Sequence, residues 1–254
     1  MKILALDYDG VIANSQLECL AVGFNSYLKL NKNTKLFNGK KFTFENFKKV
    51  IAKNKAVIEK YKKLRPYVID AFCWYTILYI IENSIEITNQ GEYNRIRNRL
   101  MKCYKKYVKY FYNERSCLQK DLNEWLKLVK PYNIIHSIKL LGKKYVIAIA
   151  TNNRKKSIKP FLNKYRIPVK IITDSDISIN KVKQLEFIKN RYNAEFSDIC
   201  FVDDQVAHFP ALLKLGVKCF LATWGYNTKE QRNEAKRIGV ELLNESDFYR
   251  KLNQ

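Results

Sequence analysis

The chain has 254 residues, 47% hydrophobic and 28% charged, a balance that supports one large or two modest folded domains and excludes wholesale disorder. With only 8 Gly and 5 Pro and no fixed period, collagen-like, low-complexity and tandem-repeat classes are excluded as well. Lys and Arg number 47 against 24 Asp and Glu, a net charge of +23 that attracts polyanions and phosphorylated metabolites alike but is silent about fold.

Residues 2–6 form a short apolar run without polar alternation, the pattern of a central parallel strand covered on both faces. It ends at Asp7, Tyr8, Asp9 and Gly10. Ser15-Gln16-Leu17-Glu18 then fits a capping box, so a helix is expected to begin there. Residues 16–138 have a different texture, rich in aromatics and lysine at helical spacing. Phe44, Phe47, Val50 and Ile51 make one apolar stripe, continued by Val57, Ile58 and Tyr61. Further helices are expected over 67–81, 96–112 and 118–129. No strand pattern interrupts them, which predicts an all-helical second domain.

From residue 144 strands and helices alternate. Strands are expected at 145–150, 169–173, 199–202 and 217–222. Helices are expected at 157–165, 182–192 and 207–215, the first of them with Pro160 tolerated only in a first turn. This is the signature of a doubly wound, Rossmann-like parallel sheet. The first strand cannot form a sheet alone. The predicted organisation is therefore an α/β core of residues 1–15 and 139–254, with residues 16–138 inserted as a helical cap whose two ends lie close together.

Ligands of such sheets bind beyond the carboxyl ends of the strands. Those ends carry Asp7, Asp9, Thr151, Asp203 and Asp204. In a continuing extended segment Asp7 and Asp9 share a face, and carboxylates so close repel unless a cation or a proton relieves them. An oxygen-only donor set points to Mg²⁺ rather than zinc. Lys181 or Lys183 is placed to offset the charge and hold a phosphate, and Thr151 with the backbone donors after it to hold other phosphate oxygens.

The order of these elements resembles the haloacid dehalogenase-like (HAD) hydrolases, and within them the phosphoglycolate-phosphatase-like branch. Leu4-Ala5-Leu6-Asp7-Tyr8-Asp9-Gly10-Val11-Ile12 resembles the family's first motif, and Ile147-Ala148-Ile149-Ala150-Thr151-Asn152 the second. A lysine opening the helix near 181 resembles the third, and Ile199-Cys200-Phe201-Val202-Asp203-Asp204 the fourth. Thr223-Trp224-Gly225-Tyr226 is also similar to that branch.

The resemblance implies an Mg²⁺-dependent phosphatase acting on a small phosphorylated metabolite. Asp7 would be the nucleophile and Asp9 the general acid and base. Thr151 and Lys181 would hold the phosphoryl group. Asp7, the Asp9 carbonyl, Asp204 and Asp203 would surround the metal. The sequence departs from the family where His208 stands at the place of a further acid, and where Val182 rather than Pro follows Lys181. Asn14, Ser15 and Arg154 flank the motifs and are open to either structural or substrate-facing roles.

Lysines interleave with Tyr104, Tyr107, Tyr110, Phe111 and Tyr112, a pattern compatible with nucleic acid or with a solvated helix face. A phosphatase of nucleic-acid ends and a non-enzymatic polyanion-binding protein are therefore the alternatives. No C-x-x-C pair occurs among the six cysteines and there are only two histidines, which argues against structural zinc and for free thiols in a reducing compartment. The opening apolar run meets Asp7 too soon for a secretory signal, and the run over 67–81 is too short to span a bilayer and contains Asp70. The cytoplasm, without membrane association, is the expected location.

Overall fold

The computed structural model describes residues 1–254. The chain divides into two compact units, residues 1–15 with 129–254, and residues 16–128.

In the first unit β1 (Ile3–Leu6) leads into the site loop and then β2 (Ala13–Asn14). The second unit is helical: α1 (Gln16–Leu30), α2 (Phe47–Lys53), α3 (Lys55–Leu64), α4 (Cys73–Glu82), α5 (Gln90–Arg99), α6 (Tyr104–Leu118) and α7 (Leu122–Leu128). The chain re-enters the first unit through β3 (Lys130–Pro131) and α8 (Ile135–Leu141). There follow β4 (Val146–Ala150), α9 (Lys155–Lys164), β5 (Ile171–Thr173), α10 (Lys181–Arg191) and β6 (Ile199–Asp203). The chain ends with α11 (Phe209–Lys214), β7 (Lys218–Ala222), α12 (Lys229–Arg237), β8 (Glu241–Leu243) and α13 (Phe248–Leu252).

Six strands form one parallel sheet in the order β5-β4-β1-β6-β7-β8. All four residues of β1 are fully buried, as a run without polar alternation requires. On one face Ile3, Ala5, Ala148, Ala150 and Phe201 pack with Leu185 and Ile188 of α10 and with Phe209 and Leu212 of α11. By strand alternation Leu4, Leu6, Ile147 and Ile149 face the other way. β2 and β3 pair antiparallel, Ala13 with Pro131 and Asn14 with Lys130, so the points where the chain leaves and re-enters this unit are neighbours.

Several boundaries differ from the sequence reading. Residues 129–138, expected in the cap, belong to the first unit: β3 pairs with β2, and Ile138 and Leu141 of α8 are fully buried. The helix expected over 96–112 is two helices. Its apolar period runs unbroken through Tyr93, Ile96, Leu100, Tyr104 and Tyr107, but α5 is tied to α4 and α6 to α1. Tyr93 Oη donates to the Cys73 carbonyl at 3.0 Å and Arg97 pairs with Asp70 at 2.5 Å. Tyr107 Oη donates to the Gly23 carbonyl at 3.0 Å, and Arg115 makes a two-nitrogen pair with Glu18 at 2.7 and 2.8 Å. The helix expected over 67–81 begins only at Cys73, after a turn in which Asp70 Oδ1 accepts from the Phe72 and Cys73 amides. Pro160 stands in the second turn of α9, not the first, because that helix starts at Lys155.

The second unit has its own aromatic core, in which Phe24 contacts Phe37 and Phe42, Tyr61 stacks on Trp74, and Phe72 stacks on Tyr75. No helix is long and apolar enough to cross a membrane.

Candidate active site

Asp7 directly follows β1, and its amide donates to the Val202 carbonyl at 2.9 Å, extending the ladder to β6 by one residue. The carboxylate is thereby delivered to the carboxyl end of the sheet centre, where β1 is flanked by β4 and β6. Asp203 ends β6 and Asp204 follows it. Donor oxygens of Asp7, Asp203 and Asp204 all lie within 4.8 Å of one another, and all three residues are buried.

Lys181 is the first residue of α10, whose N-cap Asn180 accepts from the Val182 amide. Side chains on a helix lean back toward its N-terminus, so Lys181 reaches the strand ends. Its Nζ is 2.7 Å from Asp7 Oδ1, 2.6 Å from the Ala150 carbonyl and 3.7 Å from Asp203 Oδ2. Lys183, two residues on and so rotated by about 200° around the helix, is exposed. Of the two lysines the sequence offered, Lys181 is the one brought to the clustered carboxylates.

The Asp7 carboxyl is raised to about 6: burial is the largest cause, Asp203 and Asp9 push the same way, and Lys181 pulls it down in part. Burial also opposes the Lys181 charge, but Asp7 and Asp203 outweigh it and hold the ammonium above its ordinary value. Burial disfavours the Asp203 carboxylate too, yet His208 and Lys181 bring it down to about 2. The residue found where a further acid was expected thus has a partner: His208 Nδ1 lies 2.7 Å from Asp203 Oδ2, and Asp203 Oδ1 accepts from the Gln205 amide at 2.9 Å.

Asp9 is brought beside this cluster but its carboxylate is not among the clustered donors. Ser15 Oγ donates to Asp9 Oδ1, and Asn153 Nδ2 donates to Asp9 Oδ2 at 3.1 Å. The Asp9 side chain is thus held by Ser15 and Asn153 rather than gathered with the three clustered carboxylates. Thr151 is buried at the end of β4, its amide bonded to the Thr173 carbonyl at 2.9 Å and its Oγ1 accepting from the Asn153 amide at 3.1 Å.

Asp204 is enclosed by two glycines. A Cβ on Gly10, whose φ is +89°, would fall 2.1 Å from Asp204 Oδ2, and one on Gly225 would fall 2.3 Å from Asp204 Cβ and 2.6 Å from the Gly10 carbonyl. Only glycine allows this approach. The Tyr226 amide donates to Asp204 Oδ2 at 2.6 Å, Tyr226 Oη donates to Asn14 Oδ1 at 2.9 Å, and Trp224 Nε1 donates to the Val11 carbonyl at 3.0 Å. Residues 223–227 thus lock the loop that carries Asp9. The sequence singled out Thr223-Trp224-Gly225-Tyr226 as a likeness, but the Asn153 bridge and the Gly225 contact arise from residues far apart in the chain and leave no local pattern.

In the second unit Tyr107, Phe111 and Tyr112 are buried, and Tyr104 and Tyr110 are partly so, while Lys102, Lys105, Lys106 and Lys109 are exposed. The interleaved aromatics form core, leaving a lysine face with little aromatic surface on which a base could stack.

No protein-family model matches the sequence, and a search of curated proteins found no match. Solved structures do match. A predicted phosphatase from Clostridium acetobutylicum superposes with a TM-score of 0.60 at 14% identity, over 99% of this chain and 98% of the other. A predicted phosphoglycolate phosphatase from Haemophilus somnus gives 0.61 at 16% identity, over 100% and 98%. A haloacid dehalogenase-like family hydrolase from Streptococcus pneumoniae gives 0.56 at 10% identity, over 96% and 93%. Likenesses this remote in sequence speak for architecture, and the architecture of this chain is the HAD-like fold, an α/β core with a helical insertion after its first strand.

Proposed function

We propose that the chain is a Mg²⁺-dependent phosphatase that hydrolyses a small phosphate monoester through an aspartyl-phosphate. The observation that carries this reading is the buried Lys181–Asp7 ion pair, set beside Asp203 and Asp204 at the strand ends of an HAD-like sheet.

The residues fit the metal. Three buried carboxylates face one buried ammonium, an excess of negative charge that a divalent cation balances, and every donor in the cluster is oxygen. Asp203 has both oxygens bonded within the protein, so Asp7, Asp204 and the Asp9 carbonyl are the groups assigned to the metal. Asp203 is assigned to holding Lys181 and His208. When bound, Mg²⁺ supplies charge neutralisation between these carboxylates and the phosphoryl group.

Lys181 holds Asp7 Oδ1, leaving Oδ2 to attack phosphorus. The bond from phosphorus to the leaving oxygen breaks as the bond to Asp7 forms, and Asp9 gives its proton to that oxygen. Asp9, held by Ser15 and Asn153, then takes a proton from the water that attacks the aspartyl-phosphate, releasing orthophosphate and restoring Asp7. Thr151 and Lys181 bind the equatorial oxygens throughout. The free thiols of the buried Cys19, Cys73 and Cys219 support the cytoplasm as the compartment.

The test is orthophosphate release from an aryl phosphate, with Mg²⁺ and with chelator, for the wild type beside Asp7→Asn. Release is expected to need both Mg²⁺ and Asp7. Equal release by Asp7→Asn removes the proposal.

A further inference from the structure

Gln184 lies one turn beyond Lys181 on α10 and is fully buried. Its Nε2 donates to the Thr151 carbonyl at 2.8 Å and to the Ser178 carbonyl at 2.6 Å, and stands 3.4 Å from Asn152 Oδ1. Two of these neighbours are backbone carbonyls, which fixes the orientation of the amide; turned over, it would set its oxygen against both. That orientation leaves Oε1 buried with no hydrogen-bond partner. An orphaned acceptor is unfavourable in a fully enclosed position, so the amide is kept there by the work of its nitrogen.

That nitrogen ties together the loop after β4, the loop before α10 and α10 itself. Lys181 performs a parallel task one turn earlier, donating to the Ala150 carbonyl at 2.6 Å. Two successive carbonyls at the end of β4 are therefore gripped from the same helix face, at a spacing of three residues. On its other side the Thr151 amide is bonded to the Thr173 carbonyl at 2.9 Å. The backbone at Thr151 is thus held from both directions, and its hydroxyl oxygen is held in turn by the Asn153 amide at 3.1 Å.

We propose that Gln184 is a positioning residue: it sets the Thr151 hydroxyl and the amides after it at a fixed distance from the Lys181 ammonium, so that the two sides of the phosphoryl-oxygen site are built to one spacing. The proposal rests on the phosphatase reading and adds to it a residue outside the motif positions. Gln184 acts through Thr151 and Lys181 and touches no reacting atom.

The test compares wild type, Gln184→Met, Gln184→Asn and Ile188→Ala. Methionine keeps the length and apolar bulk of Gln184 but removes its donors. Asparagine keeps the donors one methylene short. Ile188 is fully buried one turn further along α10, so its truncation loosens the same helix without touching the loops. Each protein is measured for thermal midpoint, for kcat and KM on an aryl phosphate, and for orthophosphate affinity by calorimetry in Mg²⁺.

Gln184→Met is expected to raise KM and weaken orthophosphate by about tenfold, and Gln184→Asn by about threefold, because a misplaced donor loses binding steeply. Ile188→Ala is expected to lower the midpoint at least as far while leaving both constants within about twofold of wild type. Should Gln184→Met fail to fold, the graded loss in Gln184→Asn decides. Wild-type affinity in the folded Gln184 variants, or an equal loss in Ile188→Ala, overturns the positioning role while the phosphatase stands. A wild type that neither releases phosphate nor binds orthophosphate overturns the phosphatase reading and the positioning role with it.

Discussion

Replacing Lys181 by Met takes the one buried ammonium out of a cluster of three carboxylates. Breaking a buried pair on one side leaves charge uncompensated, at a cost of about 3–5 kcal/mol. The expected result for Lys181→Met is a large fall in the urea midpoint in chelator, partly recovered by Mg²⁺, because the cation replaces some of the missing positive charge. Phosphate release is expected to be lost in both conditions. A midpoint indifferent to Mg²⁺ would place the cation elsewhere. Gly225→Ala tests the other side of the cluster. The added methyl meets Asp204 Cβ and the Gly10 carbonyl at distances no relaxation of a flexible side chain can relieve. The expected outcome is an Mg²⁺ affinity weakened by about tenfold or more, read by calorimetry, since a small displacement of a ligating group is costly. Asp7, Thr151 and Asp204 were legible because each closes a recognisable apolar run, whereas Lys181 opens a helix and was one of two candidate lysines. Asn153 and Gln205 were not, because what they do is set by partners 144 and 2 residues away, respectively, through bonds that no residue pattern announces.

At the scale of elements, the buried strands were the most readable part. A parallel strand covered on both faces has no polar alternation to obscure it, and each such run ends in Asp or Thr where the sheet meets the site. The helices of the second unit were harder, because apolar spacing records which residues face inward but not which neighbour they face. The unbroken period from Tyr93 to Tyr107 hides the turn between α5 and α6 for that reason. The link between α1 and α6 supplies a pH prediction. Glu114 on α6 accepts from Asn25 Nδ2 of α1 at 3.0 Å, and pairs with Lys29 and Lys41, both at 2.9 Å. Burial pushes its carboxyl up, but the two lysines outweigh this and hold it below its ordinary value. A group depressed in the folded state contributes stability above its unfolded pKa and loses it as pH falls through the folded one. Wild type is therefore expected to exceed Glu114→Gln by about 1 kcal/mol at pH 7, a modest value because both lysines are largely solvated. The difference is expected to close as pH falls below about 4.5, the ordinary Glu value. Urea unfolding of both proteins at pH 7 and pH 3.5 checks the sign.

For the molecule as a whole, each unit has its own core, and the β2–β3 rung sets Asn14 against Lys130. A short Gly-Ser linker in place of residues 16–128 spans that gap without strain. The shortened protein is expected to unfold cooperatively and to bind Mg²⁺ with near-native affinity, as followed by circular dichroism and calorimetry. A non-cooperative melt would show that the α/β unit depends on its insertion. The net charge of +23 acts at this scale too. A basic molecule draws phosphate esters toward itself, so kcat/KM for a dianionic substrate is expected to fall as salt rises from 0.05 to 0.5 M by roughly threefold to tenfold, with kcat little changed. A far steeper dependence, confined to oligonucleotide ends, would turn the exposed lysine face into a substrate surface.

The central place of β1 also governs the order in which the protein is made. Its partners begin at Val146 and Ile199, so the strand that carries Asp7 leaves the ribosome long before either side of it exists. The helical unit is continuous in sequence and completes itself in the interval. β1 waits as an unpaired apolar segment until nearly three-fifths of the chain has been synthesised, and lacks its second neighbour until nearly four-fifths. A chain interrupted before residue 199 therefore displays a folded helical unit beside an open sheet edge and no assembled acid cluster. Such a nascent chain is a natural client for chaperones.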